Sequence, residues 1–292
     1  MKPSLLDKEL ETARSYQLLT TEFGLLDLSA KNVALVEAMI SIDSDYCRAA
    51  DEKAAPDSEE YSNDAVLYWF DNLNKEEREK ITKKYNGKYK GSTAYWIKRL
   101  GDGLCEGCDD NELRKRILSA VLAIDRDNST HITSDGVGPV FLTERILEWF
   151  KYHIIDDLKE FEVGRNLIQK LSEETPKGYI TDLDKYKQRS NYSFATKFCH
   201  YICFFLFQGD DRDIYSIYDG VVAKILPYYL KSHNIFKKDG KPYRKCDFDS
   251  ADKYKEYSNV IDKLRDGKIS RNGFDHLLWY YHKGRPHPKT NE

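Results

Sequence analysis

The sequence predicts a mainly α protein, and three observations carry that expectation. Apolar residues recur at helical spacing, as in Leu113, Ile117, Ala120, Val121 and Ile124, which share one face of a helix from Glu112 to Ile124. Strong helix formers fill Lys75 to Lys84. The stretch from Ala65 to Lys84 shows no alternation of strand type.

The bulk properties bound the class. With 292 residues, 40% of them hydrophobic, the chain can fill one large core or two ordinary ones. The longest apolar run, Phe198 to Phe207, is about half a membrane span, and the start MKPSLLDKELETARSY has no apolar core behind its positive charge. A cytoplasmic protein with no membrane partner is expected. Six scattered cysteines, with Cys199 and Cys203 in the most apolar segment, read as reduced core residues rather than a disulfide framework. The net charge of −3 conceals a division: from Lys231 onward there are 15 Lys+Arg against 9 Asp+Glu, so the rest carries −9. A polyanion can bind locally despite the acidic mean.

Taken in order, Val33, Val36, Glu37 and Ile40 suit an amphipathic helix capped by Ser29. Asp51 to Tyr61 is acidic and holds a proline, so it reads as a loop; Ala65 to Leu73 reads as a buried helix. From Lys83 to Arg99, basic residues (Lys83, Lys84, Lys88 and Lys90 among them) interleave with Tyr85, Tyr89, Tyr95 and Trp96 around two glycines. Cations that neutralise phosphates beside rings that accept bases make this a candidate nucleic-acid contact; the alternative is a solvated loop leading to a helix, with Tyr95 and Trp96 in the core. Cys105-Glu-Gly-Cys108 lacks the two further ligands a structural zinc needs, and reads as a turn before an aspartate cap at Asp109 or Asp110. No metal and no cofactor is expected.

Gly136-Val-Gly138-Pro139 precedes an amphipathic helix, and its backbone N–H groups could grip a phosphate at the helix start. The residues that follow, Val140 to Glu144, echo Ser193 to Lys197 in pattern. A helix near Val163 to Leu171, a loop at Pro176 and Gly178, an apolar helix after Ser193, an acidic loop, and a helix from Gly220 to Leu230 come next. Asn234 to Ser250 reads as a basic loop, and a last helix from Asn272 stops at Gly284.

One lysine, Lys197, stands at the start of the most apolar helix, and one aspartate, Asp219, closes the following apolar run. Adjacent Cys199 and His200 point about 100° apart on a helix, which excludes them as a nucleophilic pair.

At these residues the sequence resembles the helix-hairpin-helix DNA glycosylases, in the 8-oxoguanine DNA glycosylase branch and its compact prokaryotic relatives, some of which act in antiviral defence. Thr196-Lys197 fits the catalytic lysine near a helix start. Asp219, in Tyr215-Ser-Ile-Tyr-Asp-Gly-Val-Val, fits the aspartate about twenty residues on, and Leu277-Leu278-Trp279 is similar to the relatives' last helix. The likeness covers about residues 130 to 230, and implies a helix-hairpin-helix fold with an N-terminal helical region over 1–125 and a catalytic region over 126–292. Which segment is the DNA-anchoring hairpin stays open, because Tyr192-Ser-Phe-Ala precedes the lysine whereas the Gly-Val-Gly turn lies at 136–138.

The resemblance implies a monomeric enzyme that binds DNA and excises a base such as 8-oxoguanine or a phage-modified cytosine, with AP-lyase activity through Lys197. Gly136, Gly138, Ser193, Thr196, Lys83, Lys84, Lys88 and Lys90 would contact DNA, and Tyr192, Phe194, Tyr218 and Trp279 would line a base pocket. Losing a base leaves positive charge on the sugar, which a carboxylate stabilises and an amine can capture. The alternative is a non-catalytic helical DNA-binding or interaction protein, with the lysine at the surface and the aspartate as a helix cap.

Overall fold

A computed structural model describes residues 18–21, 25–38, 92–128, 130, 132, 138–174 and 190–283. Among these the chain is mainly α, with nine α-helices and, in place of a sheet, one isolated antiparallel bridge between Thr20 and Leu26. In chain order the helices are α1 (residues 30–38), α2 (Thr93–Glu106), α3 (Asp110–Asn128), α4 (Gly138–Phe150), α5 (Phe161–Ser172), α6 (Tyr192–Leu206), α7 (Gly220–Ser232), α8 (Tyr254–Arg265) and α9 (Arg271–Lys283). The readings of Asp51 to Tyr61, Ala65 to Leu73 and Lys75 to Lys84 lie outside the described residues.

Contacts divide the chain into two compact units, one of Met1–Asp45 with Tyr215–Glu292 and one of Tyr46–Ile214. The boundary expected between 125 and 126 falls within α3.

In the Tyr46–Ile214 unit, helix ends follow local chemistry. Ser92 Oγ accepts the Tyr95 N–H at 3.1 Å to start α2, and Gly107, at φ 67°, ends it in the left-handed region where glycine has no Cβ penalty. Asp109 Oδ1 then accepts the N–H groups of Glu112 and Asn111, each at 2.9 Å, and these bonds hold its carboxyl below the usual carboxylate range. The Cys105–Cys108 segment is therefore the turn between two capped helices. Trp96 lies in the core and Tyr95 is half-buried, its ring edge-on to Trp96 at 5.0 Å.

Helix α6 is the centre of this unit, in contact with α2, α3 and α5. It is apolar all round, and a helix without a polar face must be enclosed. Phe194, Phe198, Cys199, Ile202 and Cys203 are all buried. The approach of α2 is close: a Cβ on Gly101 would come within 2.8 Å of Leu206 Cδ2. Cys199 Sγ lies 3.9 Å from Gly164 O and Cys203 Sγ 3.9 Å from Leu158 O, and burial pushes both thiols well above their ordinary range. All five described cysteines are free.

The other unit joins α1 to α7, α8 and α9. Ser29 caps α1 as its position predicts, with its hydroxyl 3.4 Å from the Asn32 N–H. Fully buried Asn32 works as a latch: its amide accepts from Leu19 N and donates to Leu19 O and Asp27 O, each at 2.8 Å. The Tyr229 hydroxyl on α7 accepts the Leu26 N–H at 3.0 Å and lies 3.2 Å from His282 Nε2 on α9. Helix α9 passes close to α1 at Gly273, where a Cβ would stand 3.0 Å from Val33 Cγ1. No described helix is long and apolar enough to cross a membrane.

Candidate functional site

Lys197 sits in the second turn of α6, in the Tyr46–Ile214 unit. The expectation of a solvent-facing lysine is not met, for Lys197 is 5% exposed. Phe194 and Phe198, stacked at 6.0 Å, flank it in sequence, and its Nζ donates to Asn128 O at 3.1 Å. Asn128 is the last residue of α3, so the ammonium meets a carbonyl at the negative end of a helix dipole. One turn on, the Tyr201 hydroxyl donates to Asn128 Oδ1 at 2.6 Å. Residues 197 and 201 thus hold one helix terminus with both backbone and side-chain bonds.

The candidate DNA-contact residues beside Lys197 are interior. Thr196 is fully buried and donates to Ser193 O at 3.1 Å, as a helix hydroxyl does to its preceding turn; Ser193 is half-buried. Tyr192 and Phe194, candidates for the base pocket, belong to the same packed core at 3% and 1% exposure. Gly138 is the buried first residue of α4, and Glu144, which stands in that helix as Lys197 stands in α6, pairs with Arg114 at 2.7 Å. Gly136, Lys83, Lys84, Lys88 and Lys90 lie outside the described residues.

Asp219 belongs to the other unit, where it caps α7. Its backbone is extended, at φ −136° and ψ −179°, and Oδ1 accepts the N–H groups of Val221 at 2.8 Å and Val222 at 3.0 Å. This is the geometry that places an oxygen among the free amides of a helix start. The carboxylate is buried at 6% exposure.

The segment leading to Asp219 is held from α8. The Tyr254 hydroxyl accepts the Ser216 N–H at 2.9 Å and donates to Ser216 O at 3.0 Å, so one side chain replaces both backbone partners a strand neighbour would give. Tyr257 donates its hydroxyl to Ile217 O. Its ring also meets that of Tyr218 edge-on at 5.2 Å. Burial pushes the Tyr218 phenol up to about 12, with the negative charges of Asp249 and Asp219 adding to the effect. Trp279, the remaining pocket candidate, is half-buried on α9.

Tyr254 and Tyr257 were not anticipated, nor was the helix that carries them. A signal was present: Tyr254, Tyr257, Val260, Ile261 and Leu264 fall at helical spacing. Among the described residues, no group of three or more His, Cys, Asp or Glu side chains could hold a metal ion.

Helical packing in two units, with a buried lysine on one helix and a buried aspartate capping another, defines the class of the molecule. No family model, curated protein or solved structure matches the chain.

Proposed function

We propose that the protein is a DNA glycosylase that cleaves the bond between a damaged or modified base and its deoxyribose, with lyase chemistry through Lys197. The observation that carries this reading is the burial of that lysine, with its amine on a backbone carbonyl. Withdrawing an amine from water costs free energy, and Schiff-base lysines are found in such settings. A buried carboxylate at a helix start, Asp219, supports it further.

In this reading the base leaves with the electron pair of the glycosidic bond and takes up a proton, while Asp219 stabilises the positive charge that grows on the sugar. The unprotonated Lys197 amine bonds to the anomeric carbon, and opening of the sugar ring gives a Schiff base. The substrate is a base flipped from the duplex, 8-oxoguanine or a modified cytosine, in repair or in defence against phage DNA.

A second reading, a non-catalytic DNA-binding or interaction protein, is favoured by the structural partners of both groups: Lys197 satisfies the end of α3 and Asp219 caps α7. Borohydride trapping on abasic-site DNA separates the two. The wild-type protein is expected to give a covalent adduct, and Lys197→Gln, which keeps an N–H donor for Asn128 O, is expected to give none while retaining its helical circular dichroism. An undiminished adduct in the variant moves the nucleophile elsewhere. No wild-type adduct, together with no release from oxidised, alkylated or phage-modified DNA, leaves the binding protein.

A further inference from the structure

We propose that the exposed face of α7 is a nucleic-acid contact, with phosphates on Lys224 and Lys231 and an unstacked base against Tyr228. The partner rests on the DNA reading above; the surface is argued from its own chemistry. Residues 220 to 238 contain Lys224, Lys231, Lys237 and Lys238 and no carboxylate, in a chain whose net charge is −3. On a helix, Gly220, Lys224, Tyr228 and Lys231 fall within roughly 80° of one another, so they form one stripe. All four are exposed, Tyr228 at 47%, while Val222, Ala223, Ile225, Leu226, Tyr229 and Leu230 fill the opposite, buried face.

The cations of this stripe are not committed elsewhere. Lys237, Lys241, Lys253 and Lys268 in the same unit pair with Asp247, Asp239, Asp249 and Asp266. Lys224, Lys231 and Lys238 have no such partner among the described residues. The carboxylates nearest in sequence are engaged: Asp219 holds the amides at the start of α7, while Asp239 and Asp247 hold lysines.

Aromatic surface interrupts the charge. Tyr228 stands between the two lysines, and after α7 the chain reverses at Asn234, φ 56°, with the Ile235 N–H on Leu230 O at 2.8 Å, before Phe236 at 40% exposure. Cation, ring, cation is the order a single strand asks for, since phosphates take the charges and a base face takes the ring. From Lys224 to Lys231 the helix rises about 10 Å, close to three nucleotide steps of about 3.4 Å. The stripe ends at exposed Gly220, where a Cβ would meet nothing within 4 Å, next to Asp219. An anionic membrane is the poorer fit, because interfacial helices bury an apolar face in lipid and that of α7 is spent inside its own unit.

Fluorescence anisotropy with abasic-site duplex carrying a single-stranded overhang, read across a salt series, tests the surface. Lys224→Gln with Lys231→Gln should reduce the salt slope by about 1.8 and weaken binding about 30-fold at roughly 0.15 M salt, as two lost phosphate contacts require. Tyr228→Ala should weaken binding about tenfold with the slope unchanged. A wild-type slope in the double variant, or its binding loss appearing on anionic phosphatidylserine vesicles instead of DNA, overturns the proposal. Borohydride trapping by the wild-type protein reads the enzyme separately. Trapping with an unaltered slope removes only the surface, a reduced slope without trapping keeps the surface on a non-catalytic protein, and neither DNA binding nor trapping removes both.

Discussion

Tyr254→Phe isolates the clamp that holds the chain ahead of Asp219. The ring is fully buried and phenylalanine fills the same volume, so no cavity follows; what disappears is one hydroxyl that serves both backbone groups of Ser216. No other backbone partner takes over, and the segment is extended, outside any helix ladder. A buried N–H and a buried C=O, each left without a partner, cost about 1–3 kcal/mol, so the substitution should destabilise by about 3 kcal/mol in all. With a urea m-value of about 2–3 kcal/mol per molar, the midpoint should fall by about 1 M, a large part of the ~5–15 kcal/mol of a typical fold. Urea titration with hydrogen exchange at the Ser216 amide checks this: the midpoint falls, m holds, and that amide loses protection. A shift under about 0.2 M with protection intact would refute the clamp. Tyr257→Phe, which loses a single bond to Ile217 O, should cost about 1 kcal/mol.

Three further predictions follow from the same geometry. Asp219→Asn keeps a good N-cap but removes the charge, so stability should hold within a few tenths of a kcal/mol while base excision falls by orders of magnitude; Asp219→Ala should also cost about 1 kcal/mol of stability. Excision that survives in the asparagine variant makes Asp219 a cap alone. Because Tyr218 has its phenol raised from 10.0 to about 12, the folded state holds the proton longer, and its stabilising contribution is complete below pH 10.0 and lost as pH rises through about 12. Tyr218→Phe should therefore flatten the loss of stability over that window in alkaline denaturation, and identical curves would count against it. For Asp247, burial pushes the carboxyl up, but the ion pair with Lys237 at 2.6 Å and the Arg244 N–H outweigh it, so its pKa lies below 3.8. That contribution is present above 3.8 and lost as pH falls through the folded value, and Asp247→Asn should give a shallower acid-unfolding curve in circular dichroism.

The helices were legible where the chain carries its own punctuation. Ser29 and Asp109 cap the helices their positions announce, and the apolar face of Leu113 to Ile124 lies within α3. Helix α8 escaped notice because two of its five core positions are tyrosines, whose value lies in hydroxyls that reach Ser216 and Ile217, 38 and 40 residues earlier. Lys197 was singled out correctly as a residue and wrongly weighed as a surface group. Its aromatic neighbours hint at burial, yet the carbonyl that accepts its proton lies 69 residues away in sequence, and only the fold brings Asn128 to it. The same holds for the rings of Tyr192 and Phe194, which local pattern cannot sort between pocket wall and core.

The Tyr229 hydroxyl bond to Leu26 spans 203 residues, and it sets an order on how the molecule is made. The Tyr46–Ile214 unit is continuous in sequence, whereas the unit holding α1 draws its remaining helices from beyond Tyr215. A nascent chain therefore exposes Leu25, Leu26, Leu28 and Val36 first and supplies their partners last. At about 5–20 residues per second that delay is roughly 10–40 s, long enough for the middle of the chain to fold and for the waiting apolar segment to need a chaperone.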